Sequence, residues 1–97
     1  MTARYRRSHQ WFGEAQSLIP TASQTFSKSH LAYPDQVSPL FIESANGCRV
    51  LDPDGNEYID LVSGLLAISL GYQDADVDAA VVKQMQRGVT FTLPHRL

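Results

Sequence analysis

Cysteine is almost absent from this sequence, and its scarcity limits what can hold the fold together. Cys48 is the only cysteine in 97 residues, so no disulfide can form within the chain. No histidine lies near it in the sequence, which argues against a metal site around this thiol. A lone thiol is typical of proteins from a reducing compartment, and we therefore expect a cytoplasmic location.

Long apolar runs and an excess of one charge are missing as well. The most apolar stretch, residues 61–70, has about half of the ~20 residues that a membrane helix needs, and serine and glycine interrupt it. No signal peptide is predicted, because the residues after Arg7 are polar and aromatic. The formal net charge is −2, with both signs mixed. These features give no reason to expect binding to nucleic acid or to a membrane surface.

Patterns of reactive residues are also scarce. The three histidines lie in separate segments, and the six glycines form no phosphate-binding loop. Residues 52–56 resemble the start of a calcium loop, but Glu57 and Ser63 stand where such a loop needs glycine and glutamate. The sequence therefore predicts a turn here, with no metal ligand and no catalytic residue. A constellation that forms only in space stays open.

Lysine is rare too, with two residues in the chain. Lys83 falls on the solvated side of a predicted amphipathic helix. Lys28 is the only cation in an irregular polar segment, where it either binds an anion or is simply solvated.

The residues that are present predict a short helix first, from about Ser8 to Ile19. Ser8 is a candidate cap, and Pro20 disfavours helix at the residue before it. Apolar residues recur at three- and four-residue spacing and form one stripe that has to cover something. The stripe consists of Trp11, Phe12, Ala15, Leu18 and Ile19.

A three-stranded antiparallel meander is predicted next. Its strands are expected at Leu40–Glu43, Cys48–Leu51 and Glu57–Leu61. Asn46-Gly47 is a favoured pair for the first tight turn, and Asp52–Asn56 carries proline, aspartate and glycine at positions that suit the second.

An apolar connector and a second helix complete the pattern. Gly64 and Gly71 bracket the connector, and Asp74 is placed to cap the helix that follows. Gly88 is a suitable terminator, and residues 89–93 are expected to be a short β-like segment. One helix face carries Val77, Ala80, Val81 and Gln84. The sequence thus predicts an α+β fold with three parts, a helix in residues 1–20, an irregular loop in 21–38, and the meander with its amphipathic helix in 39–97.

Taken in order, several short motifs resemble one known module. They are Leu18-Ile19-Pro20, Pro39-Leu40-Phe41, the run Gly47–Asp60, Leu70-Gly71-Tyr72, the Val77–Gln84 helix, Gly88, Phe91 and Pro94. The set resembles the N-terminal module of the class III pyridoxal-phosphate (PLP) aminotransferases, a family that includes glutamate-1-semialdehyde 2,1-aminomutase. The resemblance covers most of the chain, from about Leu18 onwards.

This resemblance implies part of the small domain of a fold-type I PLP-dependent transferase. The Schiff-base lysine and the aspartate beneath the cofactor ring have no counterpart here, so the cofactor-binding large domain would lie outside the chain. In the family this module lines the substrate side of the site and contributes to a homodimer interface. The resemblance therefore implies that Lys28, Gly64 and Leu65 lie near a small amine or keto substrate.

Two departures from the family pattern bear on specificity. In the aminomutase, an arginine aligned with Lys28 binds the substrate carboxylate; lysine keeps the charge but loses the bidentate fork. An aromatic residue that flanks the cofactor falls near Leu65, and the usual Gly-His is replaced by Gly71-Tyr72. These departures favour a relative that acts on another amine or keto substrate.

Three hypotheses follow. The first is that the chain is the N-terminal part of a PLP-dependent aminotransferase or aminomutase, inactive without its large domain or second subunit. The second is a non-catalytic truncated paralogue or self-association module, motivated by the apolar stripes. The third is a small stand-alone β-meander binding domain, which requires a closed core within 97 residues.

Overall fold

A computed structural model of the protein describes residues 3–34 and 36–96. The chain forms helix α1 (Arg6–Gln16), strands β1 (Ser44–Asn46), β2 (Arg49–Leu51) and β3 (Glu57–Ile59), and helix α2 (Ala75–Met85). This order confirms the predicted α+β class, with a helix, a three-stranded antiparallel sheet and a second helix. Single 3-10 turns lie at Ala3–Tyr5, Pro20–Ala22, Phe26–Lys28 and His30–Ala32.

The sheet is the predicted meander, with strand order β1-β2-β3. Ser44 pairs with Leu51, and Leu51 pairs with Glu57, so the two hairpins share the central strand. The first turn is displaced by one residue from the prediction: Asn46 pairs with Arg49, which leaves Gly47 and Cys48 as the loop. Gly47 has φ +55, and glycine at the first loop position is what a tight hairpin of this kind prefers.

The first and third strands also differ from the prediction. Residues 40–43 were expected to form a strand, but the first strand begins only at Ser44. The Leu40 amide donates to the Ser8 hydroxyl (3.0 Å), and Phe41 packs edge-on against Trp11, so the start of this segment lies along α1. The Glu43 amide already donates to the Leu51 carbonyl of β2 (2.8 Å). β3 ends at Ile59, because the Asp60 carboxylate accepts the next backbone amides and turns the chain away.

The second turn centres on a carboxylate with no solvent exposure. Asp52 is fully buried and accepts hydrogen bonds from the amides of Asp54 (3.0 Å) and Asn56 (2.8 Å). Its second oxygen accepts from the Asn56 side chain (2.8 Å) and from the Tyr58 hydroxyl (2.9 Å). Gly55 takes the left-handed conformation of the turn, with φ +86.

Helix α1 begins two residues earlier than predicted, and Ser8 does not cap it. Ser8 lies inside the helix with no exposed surface. The expected cap was wrong because the Asp54 carboxylate already accepts the Arg7 and Ser8 amides, which leaves the serine hydroxyl to accept from Leu40. After Gln16 the chain continues in a turn as far as Ile19, which immediately precedes Pro20. The Ile19 amide donates to the Ala15 carbonyl (2.8 Å).

Helix α2 starts where the sequence predicts. The Asp74 carboxylate accepts the Val77 amide (3.0 Å), and Gly88 follows the helix with φ +101. The β-like segment expected at residues 89–93 is not a strand; Thr90 turns into the left-handed region, and Phe91 stacks on His95 at 5.0 Å. A strand needs a neighbouring edge for its hydrogen bonds, and residues 89–93 pair with no described strand.

The hydrophobic core of the described chain is small. Tyr5 and Val50 are its buried hydrophobic side chains, at 4% and 8% exposure, whereas Leu61 and Leu66 are 89% and 84% exposed. The radius of gyration is 16.0 Å. A compact domain of this length would have about 12.5 Å. The apolar faces of α2 and of residues 61–70 are therefore uncovered within the described chain.

Candidate substrate-side site

Lys28 is exposed at the end of the 3-10 turn Phe26–Lys28. Next to it, Ser29 is nearly fully buried, and its hydroxyl donates to the Phe26 carbonyl (2.7 Å). The following His30 packs edge-on against Phe12 of α1, with ring centroids 4.8 Å apart. The buried Ser29 and the half-buried His30 thus anchor the backbone beside Lys28, and its ammonium group extends into solvent where it can bind an anion.

Gly64 and Leu65 lie in a left-handed stretch of the connector. Consecutive φ angles are +51 at Ser63, +58 at Gly64, +61 at Leu65 and +71 at Leu66. This conformation is costly for residues with a Cβ. A Cβ added at Gly64 would lie 2.8 Å from the Ile68 Cγ1, so a larger residue here would force the Ile68 side chain to move. The Leu65 side chain is 54% exposed.

A tyrosine–aspartate pair fixes the two ends of this connector. The Tyr72 hydroxyl donates to one Asp60 oxygen (2.7 Å), and the other oxygen accepts the amides of Val62 (2.9 Å) and Ser63 (3.0 Å). Tyr72 also exchanges two backbone hydrogen bonds with Gly47 at the hairpin turn, at 2.8 and 2.9 Å. The connector is therefore a closed loop clamped onto the β1–β2 hairpin.

The same contacts set the protonation of the pair. The Tyr72 hydrogen bond lowers the pKa of Asp60 below 3.8; burial opposes it, and the amides of Val62, Ser63 and Gly64 add to it. The reciprocal bond, together with burial and the aspartate charge, raises the pKa of Tyr72 above 10.0. At neutral pH the pair is a carboxylate and a neutral phenol, which makes it a rigid brace and a poor proton donor.

The structure places the three predicted substrate residues in two separate regions. Lys28 belongs to the segment that packs on α1, whereas Gly64 and Leu65 belong to the loop on the hairpin. The described hydrogen bonds do not connect these regions directly. The Asp60–Tyr72 brace was not predicted from the sequence.

The described structure has two open cavities of note. One, of about 270 Å³, lies between the hairpin turn and the connector, lined by Gly47, Cys48, Asp60, Ser63, Ile68, Ser69, Leu70, Gly71 and Tyr72. The other, of about 540 Å³, is lined by Ala3, Arg6, Arg7, Glu43, Pro53, Asp54 and Gly55. Within the described residues neither cavity contains a lysine, and Lys28 and Lys83 are both exposed elsewhere. These residues therefore do not fit PLP by themselves, since the cofactor needs a lysine in its pocket.

The described ranges 3–34 and 36–96 hold no group of three or more His, Cys, Asp or Glu arranged for a metal ion. No helix in them is both long and apolar enough to cross a membrane.

Comparison with known proteins gives a consistent result. The model of the family described as aminotransferase class-III matches residues 31–95. A glutamate-1-semialdehyde 2,1-aminomutase 2 of Exiguobacterium sp. is 35% identical over 97 residues, covering 100% of this chain and 22% of the relative.

Solved structures show the same likeness. A glutamate-1-semialdehyde-aminomutase from Pseudomonas aeruginosa PAO1 superposes with a TM-score of 0.79 and 28% identity, over 95% of this chain and 20% of that one. The FumI protein of Sphingopyxis sp. MTA144, solved in its PLP internal aldimine form, gives a TM-score of 0.74 and 28% identity, over 94% and 22%. The chain spans about a fifth of the length of these proteins. Its sequence and its fold agree with theirs over nearly its whole length, and it belongs to the class III aminotransferase family.

Proposed function

We propose that this chain is the N-terminal part of a PLP-dependent enzyme that transfers or shifts an amino group on a small amine or keto substrate. The observation that carries this proposal is the match to an aminomutase over all 97 residues, at 35% identity. Because the match covers only 22% of that relative, the activity is proposed for a parent protein of similar length.

We assign the chain a supporting part in catalysis. Its two lysines are exposed and lie outside both cavities, so we expect no cofactor attachment by these residues. The cofactor chemistry then belongs to the remainder of the parent enzyme, and the isolated chain is expected to have no turnover.

Within this proposal, residues 39–97 belong to the small domain and border the substrate together with Lys28. Lys28 carries a positive charge on an anchored backbone, which suits the carboxylate of a substrate. Gly64 and Leu65 lie on the braced connector, where the backbone allows close approach. A lysine in place of an arginine gives one charged contact in place of two, so we expect tolerance of several anionic substrates.

Kinetics of the Lys28→Met variant in the parent enzyme test this assignment. Loss of one charged hydrogen bond should raise KM about tenfold for ω-amino acids. The matching alkylamines, which lack the carboxylate, should keep their KM. Lys83→Met, which removes the other exposed lysine from α2, is the control and should leave both substrate sets unchanged.

The assignment of Lys28 is wrong if both substrate sets are affected equally, or if neither is. The enzyme proposal itself is wrong if the parent protein binds PLP with no amine-dependent change in the cofactor spectrum. The two failures can be told apart, because an enzyme in which only the Lys28 assignment is wrong still turns over its substrates.

The remainder of the parent enzyme is the partner that we propose for the uncovered apolar faces. Val77, Val81 and Met85 of α2 are 46–63% exposed, and a helix with such a face is normally packed. A homodimer, in which the second subunit covers part of this surface, is proposed from the family. The exposed thiol of Cys48 is consistent with a reducing cytoplasmic compartment.

The alternative is a non-catalytic module that uses the same apolar faces for self-association. The exposure of Leu61, Leu66 and Leu70, at 75–89%, favours it. Light scattering together with reconstitution separates the two: oligomers of defined size that do not restore turnover to an enzyme lacking this part support the module.

A further inference from the structure

Helix α1 begins without a cap of its own. Its N-cap residue is Tyr5, which makes no capping hydrogen bond through its side chain. The first turn contains no acidic residue and starts with Arg6 and Arg7. Positive charge at this end opposes the helix dipole, and short isolated helices are marginal in water. A negative group from elsewhere in the chain would therefore stabilise the start of α1.

Asp54 supplies that group from the β2–β3 turn. Its two carboxylate oxygens accept the backbone amides of Arg7 (2.8 Å) and Ser8 (3.0 Å), one each. Alongside it, the Asn56 side chain donates to the Arg4 carbonyl (3.0 Å). The buried Asp52 carboxylate accepts the Asp54 amide and so fixes the turn that presents the cap. The cap is thus held at a set position on the meander.

Helix α1 in turn contacts the segment that carries Lys28. Phe12 packs against His30, two residues beyond Lys28. The hydroxyl of Tyr5, just before α1, donates to the Val37 carbonyl (3.2 Å) at the far end of the same segment. The segment is therefore attached to α1 and its flank at two points.

We propose that Asp54 is a positioning residue: it caps α1 from the meander, and α1 then holds the Lys28 segment in place. Loss of the Asp54 carboxylate releases α1 and the Lys28 segment together, while the strands stay paired. The relevance of this device to substrate rests on the proposed function above. The positioning itself is a property of the fold and is tested without substrate.

Hydrogen–deuterium exchange on the intact protein tests this coupling with the Asp54→Ala and Asp54→Asn variants. In Asp54→Ala the amides of residues 7–16 and 26–32 should exchange about fivefold faster, the factor that corresponds to the loss of one helix cap. Asp54→Asn retains one acceptor oxygen, so its exchange rates in these residues should lie between those of Asp54→Ala and of the wild type. The β1–β2 amides should stay within about twofold of the wild type, because they do not depend on α1.

Two further variants separate capping from general destabilisation. Asp76→Asn removes an acidic residue from the first turn of α2 and should leave residues 7–32 unchanged. Adding Arg6→Glu to Asp54→Ala places a negative charge within the first turn of α1 and should restore part of the protection of both segments. If Asp54 stabilised the fold only through its packing in the β2–β3 turn, a negative charge at residue 6 would not restore this protection.

The proposal is overturned if exchange rises uniformly, if only residues 7–16 respond, or if Arg6→Glu gives no recovery. If the Asp54→Ala variant does not accumulate, hydrogen exchange of the wild-type protein in denaturant tests the proposal instead. In increasing denaturant, residues 7–16 and 26–32 should then lose protection in one step, before β2. Separate steps for the two segments would contradict the coupling.

Discussion

At the scale of single residues, Asp52 organises more of this chain than any group that the sequence marked as functional. Its buried carboxylate accepts four hydrogen bonds, from Asp54, from both nitrogens of Asn56 and from Tyr58. Burial acts to raise its pKa, but these bonds outweigh burial and lower the pKa of Asp52 below 3.8. Burial and hydrogen bonds to Tyr5 and Asp52 raise the pKa of Tyr58. The carboxylate therefore stays charged beside a neutral phenol at neutral pH.

A pH dependence of stability follows from Asp52. In the unfolded chain an aspartate has a pKa of about 3.9, so the folded protein binds fewer protons than the unfolded chain just below that pH. The stability from this group is therefore complete above pH ~5 and declines as the pH falls through the lowered folded pKa. Asp52→Asn should be less stable than the wild type by roughly 2 kcal/mol at pH 7, and the difference should narrow below pH ~4.

Urea denaturation of the intact protein across this pH range measures the effect. Asp76→Asn, on the exposed first turn of α2, is the control and should follow the wild type. A constant gap between Asp52→Asn and the wild type down to pH ~2 would show that the charge of Asp52 does not stabilise the fold.

At the scale of elements, local signals predicted the strands and helices, and long-range contacts moved their ends. The order of elements, the Asp74 cap and the Asp52–Asn56 turn follow from nearby residues alone. The start of α1 could not be predicted from nearby residues, because its cap is Asp54, which is distant in sequence. The first strand starts at Ser44 and not at Leu40 for the same reason, since the Ser8 hydroxyl accepts the Leu40 amide.

The placement of Lys28, Gly64 and Leu65 near a substrate stays a prediction from the family resemblance. The polar segment around Lys28 by itself left both anion binding and simple solvation open. The supports of these residues, namely the Phe12–His30 contact and the Asp60–Tyr72 brace, join residues that are distant along the chain. The local pattern of a single sequence carries no signal for such pairs.

Alanine substitutions at two glycines should change the stability of the protein in opposite directions. In the described structure a Cβ added at Gly13 or at Gly55 would have no atom within 4 Å, so only the backbone decides the outcome. Gly13 lies in α1, and Gly13→Ala should stabilise the protein by about 0.5–1 kcal/mol. Gly55 has φ +86, and Gly55→Ala should destabilise it by about 1–2 kcal/mol. Thermal melts of the two variants measure these shifts, and equal signs would contradict the assigned backbone conformations.

At the scale of the whole molecule, the chain is too open for its length. A radius of gyration of 16.0 Å and a hydrophobic core limited to Tyr5 and Val50 among the described residues leave the apolar faces of both the connector and α2 in solvent. Burial of such faces is the main source of stability in proteins of this size. The third hypothesis, a stand-alone β-meander domain with a closed core, is therefore not supported by the described structure.

The α2 face offers a matched pair of variants at this scale. Ala80 lies on the same side as Val77 and Val81, whereas its neighbour Ala79 lies on the opposite side. Both alanines are exposed in the described chain, so an aspartate at either position should be tolerated by the polypeptide alone. Only Ala80→Asp should weaken docking on the rest of the enzyme.

The most direct test of the central claim is reconstitution. The 97-residue polypeptide is added to the Pseudomonas aeruginosa aminomutase from which the matching fifth has been deleted, and PLP-dependent turnover is measured. The enzyme's own segment, supplied in the same way, is the positive control. We predict that this polypeptide restores turnover, that Ala79→Asp does so equally, and that Ala80→Asp does not. Turnover by the polypeptide alone, or no restoration where the enzyme's own segment succeeds, would contradict the account.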